Sequence, residues 1–122
     1  MEITRHPQDP SREQIQLLVN LYNQGQPQPV LEQATEMLKQ FPNSLSLYNL
    51  SGASYIRLQQ FEKAIETYKK ALNIQPENAE IYNNIGLAFQ YNGKLDCAIN
   101  NYKKALKINP ALAETYYNMG NA

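Results

Sequence analysis

The chain predicts an all-α fold, a right-handed superhelix (solenoid) of stacked helix-turn-helix pairs, and three observations predict it. First, residues 79–110, AEIYNNIGLAFQYNGKLDCAINNYKKALKINP, match residues 45–76, LSLYNLSGASYIRLQQFEKAIETYKKALNIQP, at a spacing of 34 residues. Second, apolar residues within each copy recur at helical intervals. Third, the punctuation keeps phase: Gly52, Gly86 and Gly120 share one position in the frame, and Pro42, Pro76 and Pro110 another. An internal period of this length marks an array whose repeats bury their apolar faces on one another.

In chain order, residues 1–10 hold two prolines and little apolar material, which reads as a flexible leader. Ser11 is the first N-cap, with Gln14 three residues on as its capping-box partner. Ile15, Leu18, Val19 and Tyr22 then give a helix to about Gln24, ended by Gly25, which accepts the left-handed conformation. Pro27 and Pro29 open the second helix, where a missing N–H costs little. Its apolar face carries Val30, Leu31, Ala34, Met37, Leu38 and Phe41, and Pro42 stops it. Residues 11–44 are therefore a divergent first repeat, with Leu18 where later repeats place glycine. Terminal repeats are expected to differ, because one face meets solvent.

The second repeat spans 45–78 and the third 79–112. In the second, Asn43 or Ser44 caps a helix running to about Leu58, and its partner covers Phe61–Gln75. In the third, the helices cover Asn78–Asn92 and Leu95–Asn109. Residues 113–122 begin a fourth, partial repeat. The chain is accordingly expected to be an N-terminal piece of a longer array.

Eleven basic and eleven acidic residues give no formal net charge, which argues against a nucleic-acid binder. Cys97 is the single cysteine, so no intramolecular disulfide framework exists. The polar N-terminus lacks a secretory h-region, and no apolar run approaches the roughly 18 residues of a membrane span. A soluble cytoplasmic protein is expected. His6 stands alone, Cys97 has no histidine near it in the repeat frame, and no cluster has metal-ligand spacing. Neither catalysis nor a cofactor nor a metal is expected.

A glycine within a helix costs about 1 kcal/mol relative to alanine, so its recurrence at Gly52, Gly86 and Gly120 calls for a close helix crossing. Ala64, Ala71, Ala98 and Ala105 are small for the same reason. Tyr48, Tyr55, Tyr68, Tyr82, Phe89, Tyr102 and Tyr116 supply the large residues that fill between them. With Tyr82, Ile85, Gly86, Phe89, Ala98, Tyr102, Ala105 and Pro110, and the corresponding set from Tyr48 to Pro76, the chain resembles the tetratricopeptide repeat. Ser51 is the one weak match in the second repeat.

The resemblance implies a protein-interaction scaffold that binds a protein or extended peptide through first-helix side chains on a concave face. Those are Ser46, Asn49, Ala53, Ile56 and Arg57 in the second repeat. In the third they are Glu80, Asn83, Asn84, Leu87, Gln90 and Tyr91, continued by Glu114, Tyr117 and Asn118. Asn84 and Asn118, 34 residues apart, look like the asparagine ladder in the repeat domain of O-linked N-acetylglucosamine transferases. There, stacked amides hold a peptide backbone; the plainer reading is a polar solvated residue, and Leu50 and Gln16 interrupt the series. A clamp for a terminal carboxylate would need two converging cations, and only Arg57 is a clear groove candidate. Two further expectations come from similar arrays and from the last helix. The chain could recruit substrate for a larger glycosyltransferase-like or sulfotransferase-like enzyme, or self-associate through the stripe of Tyr116 and Met119.

Overall fold

The computed structural model describes residues 9–121, which form seven α-helices and no strand. They are α1 (Arg12–Asn23), α2 (Pro27–Gln40), α3 (Leu45–Arg57), α4 (Phe61–Ile74), α5 (Ala79–Tyr91), α6 (Leu95–Ile108) and α7 (Ala113–Gly120). Each helix packs on the next, and α1 and α5 also pack on α3. The chain is thus an all-α helical-repeat solenoid with two ranks, α1, α3, α5 and α7 in one and α2, α4 and α6 in the other.

Local chemistry sets the helix ends. The Ser11 hydroxyl accepts from the Gln14 backbone N–H while the Gln14 side chain accepts from the Ser11 N–H, a complete capping box. Ser44 and Asn78 accept from the N–H of Leu47 and Ile81 at the starts of α3 and α5. Pro27 is the first residue of α2, where its missing N–H leaves no helical bond unmade. Within repeats, the turn residue takes positive φ three times: Gly25 at 75°, Gln59 at 60° and Gly93 at 79°. The backbone thus repeats this turn even where the second repeat lacks the glycine that makes it easy.

Of the leader expected over 1–10, only Asp9 and Pro10 fall among the described residues, and both are held against the fold. Residues 1–8 lie outside the described residues, but Pro10 is buried and the Asp9 carboxylate accepts a hydrogen bond from the Ser44 hydroxyl. That hydroxyl oxygen already accepts from Leu47, so its hydrogen is free to donate to a carboxylate. One side chain joins the start of the chain to the start of α3.

The core explains the recurring glycines, though not by approach of a helix backbone. A β-carbon on Gly52 would lie 2.4 Å from the Tyr68 ring, and one on Gly86 would lie 2.4 Å from the Tyr102 ring. The second helix of each pair thus lays a tyrosine ring across the first. Gly120 meets nothing within 4 Å. The first repeat inverts the exchange. Leu18 stands at the glycine position and Ala34 at the tyrosine position, both fully buried and packed together with Leu47. Volume moves from the second helix to the first, and the crossing stays filled.

Candidate binding pocket on the first-helix face

The second and third repeats differ in what meets the tyrosine hydroxyl at the crossing. In the third repeat, the buried Tyr102 donates its hydroxyl to Gln90 Oε1 at 2.5 Å. Burial pushes the Tyr102 pKa up to about 12, with the nearby Tyr91 adding to the shift. In the second repeat, Ile56 replaces the glutamine and offers no acceptor. Tyr68 is only 2% exposed, and its hydroxyl, which bonds to no described residue, is left to solvent at the pocket. Burial raises its pKa further still, with Tyr22 contributing, so Tyr68 is a neutral O–H donor.

Tyr68 opens onto a pocket of about 500 Å³ at the meeting of α1, α3, α4 and α5. Ala53 and Ile56 of α3 and Leu87 and Tyr91 of α5 form apolar walls, and Asn84 contributes an amide. Tyr22 and Arg57 stand together at one side. Arg57 donates to the Tyr22 carbonyl at 2.6 Å, and its guanidinium lies 3.7 Å from the centre of the Tyr22 ring. No carboxylate among the described residues comes within 4 Å of Arg57; the one ion pair there joins Lys39 and Glu36. Phe61, at the start of α4, stacks on Tyr91 with ring centres 6.3 Å apart. The pocket lining carries one cation and no acid.

The structure therefore gathers six of the expected partner-binding residues: Ala53, Ile56, Arg57, Asn84, Leu87 and Tyr91. Glu80, Tyr117 and Glu114 are exposed away from it, Tyr117 at 73%. Gln90 is occupied by Tyr102. The Asn49 carbonyl oxygen is buried and has no hydrogen-bond partner.

Asn83 is a correction. Expected to face a partner, it is 1% exposed, and its carbonyl oxygen accepts from Thr115 Oγ1 and Asn118 Nδ2, both at 3.1 Å. A buried amide needs partners, and α7 supplies them, so Asn83 holds repeats together instead of facing outward. Asn118 commits an amide hydrogen to the same bond, so it differs from Asn84, whose amide has no such partner. The ladder expected from Asn84 and Asn118 is not a pair of equally free amides.

Four lining residues are additional to the expected set: Tyr22, Gln59, Phe61 and Tyr68. Tyr22 shares the repeat phase of Ile56 and Gln90, a signal present in the 34-residue frame. Tyr68 is legible only as a filler of the glycine crossing until its missing acceptor is noticed. Nothing in the pattern marks Phe61, which reaches the pocket because α4 starts beside the end of α5.

Among the described residues, no group of three or more His, Cys, Asp or Glu could hold a metal ion, and no helix is long and apolar enough to cross a membrane. A family model for the TPR repeat matches residues 52–93 and 91–122. No curated protein gives a significant match. Solved structures resemble the fold. The first TPR domain of human RPAP3 has a TM-score of 0.83 at 19% identity, with 88% of this chain and 85% of that chain covered. The second TPR domain of human RPAP3, solved in complex with the HSP70 peptide SGPTIEEVD, has a TM-score of 0.80 at 16% identity, covering 88% and 90%. MamA from Desulfovibrio magneticus RS-1 has a TM-score of 0.78 at 24% identity, with 93% of this chain and 64% of that one covered.

Proposed function

The chain belongs to the tetratricopeptide repeat family, and from that premise we propose that it is a non-catalytic interaction module that holds an extended protein segment on the concave face. The observation that carries this reading is the convergence of α1, α3 and α5 on one open pocket of about 500 Å³. Extended surfaces of this kind are how helical solenoids engage partners. Apolar walls with a few placed polar groups suit a peptide, whose side chains need burial and whose backbone needs hydrogen bonds. A similarly folded domain, from RPAP3, is solved with a bound peptide, which supports the same use here.

A blocking substitution tests the reading. Ala53→Trp adds a ring within the pocket at a position the core does not fill. Pull-down or display selection with the unaltered protein should yield peptides that Ala53→Trp fails to hold, at an unchanged melting temperature. Retention of those peptides by a folded Ala53→Trp variant overturns the groove assignment.

A second reading, pairing of two copies through α7, rests on the exposure of Tyr116 at 55% and Tyr117 at 73%. Light scattering should then give a dimer mass that Tyr116→Ser with Tyr117→Ser reduces to a monomer. A monomer mass for the unaltered chain at high concentration removes this reading.

A further inference from the structure

Comparing the two tyrosines points to the chemistry of the occupant. Tyr102 satisfies its hydroxyl within its own repeat, through Gln90. Tyr68 cannot, because Ile56 stands where Gln90 does. Tyr68 is 98% buried and borders the open pocket, where its hydroxyl, reached by solvent and bonded to no described residue, can donate to an incoming acceptor. An acceptor on whatever enters would take the place of water there.

Charge narrows the choice. Arg57 lies at the same pocket, held by the Tyr22 carbonyl and ring, with no carboxylate of the described residues within 4 Å. One guanidinium nitrogen is used by that carbonyl, leaving other N–H groups of the five free to donate. Asn84 adds an amide donor from α5. An O–H, a guanidinium and an amide on one cavity, with no acidic residue lining it, suit an anion with more than one acceptor oxygen.

Resting on the groove reading above, we propose that this pocket takes the side-chain carboxylate of an aspartate or glutamate within the bound segment. Arg57 supplies charge, Tyr68 donates its hydroxyl, and Asn84 donates its amide. Ile56, Leu87 and Tyr91 cover the methylenes and the flanking residue. An internal side chain fits better than a chain end, because a terminal carboxylate clamp wants converging cations and this pocket has one.

The test uses three pools of short randomised peptides: amidated with a central glutamate, amidated with a central glutamine, and central glutamine with a free C-terminal carboxylate. Each is passed over the immobilised intact chain and over Arg57→Gln, Tyr68→Phe and Ala53→Trp. Tyr68→Phe keeps the ring that fills the Gly52 crossing, so it removes the donor without opening the core. The glutamate pool should be retained about tenfold better than the glutamine pool, a margin typical of a charge-assisted pair. The advantage should vanish in Arg57→Gln and shrink severalfold in Tyr68→Phe. Equal retention of glutamate and glutamine peptides, both lost in Ala53→Trp, overturns the carboxylate assignment and leaves the groove reading standing. Preference for the free C-terminus also overturns it. Retention that Ala53→Trp does not reduce overturns both.

Discussion

Gln59 carries a backbone strain that its counterparts avoid. It holds φ 60° where Gly25 and Gly93 hold 75° and 79°, and a left-handed conformation costs a side-chain-bearing residue roughly 1–2 kcal/mol. Gln59→Gly relieves that cost but gives the unfolded chain more freedom, worth about 0.4–1 kcal/mol. The balance predicts stabilisation of roughly 0.5–1 kcal/mol, read from the midpoint of urea unfolding. Because Gln59 also lines the pocket, peptide retention should be measured alongside. Tyr102 makes a second prediction. Its folded pKa, about 12, exceeds the ordinary value of 10.0. Below the lower value both folded and unfolded chains hold the proton, and the stability is fully present. Between the two values the unfolded chain releases its proton first, so stability falls as pH rises and is lost through about 12. Denaturation followed across that window should show a steeper decline for the unaltered chain than for Tyr102→Phe, which has no phenolic proton there.

At the scale of helix pairs, what matters is the glycine–tyrosine crossing. Gly86→Ala places a methyl 2.4 Å from the Tyr102 ring. Over-packing costs about 1–3 kcal/mol, against roughly 1 kcal/mol recovered from helix propensity. A net loss of about 0–2 kcal/mol is expected, while Gly120→Ala, in open space, should leave unfolding unchanged or slightly improved. Equal effects at the two positions would mean that the ring is not what excludes the methyl. The same crossing shows where a linear pattern misleads. Glycine at a fixed phase signals a close approach, but whether backbone or ring approaches depends on the facing helix. The inverted pair, Leu18 with Ala34, looks like divergence in the sequence and proves to be the same crossing filled from the opposite side.

Across the whole molecule, repeat-to-repeat contacts decide which groove residues remain available. Asn83 and Asn84 are adjacent in the sequence and polar alike, yet one is buried against α7 and the other lines the pocket. Asn83→Ala leaves the fully buried Thr115 hydroxyl without its acceptor, at a cost of roughly 1–3 kcal/mol. In a solenoid each repeat depends on its neighbours, so the loss should appear as faster hydrogen exchange in α7 with α3 and α4 unaffected. Uniform acceleration through the chain would show that α7 unfolds only with the whole.

By itself the sequence determined the repeat length, the helix pairing, the cap at Ser11, the positions of the turns and the small-and-large partition of the core, and it narrowed the cap of α3 to Asn43 or Ser44. These follow from periodicity and local chemistry, which a linear pattern records. It also placed six residues now seen around one pocket. Only the tertiary structure decided that Asn83 is internal, that Asp9 reaches Ser44, and that Tyr68 differs from Tyr102 for want of an acceptor at Ile56. Each of those depends on which group faces a side chain across helices, and that is set by packing.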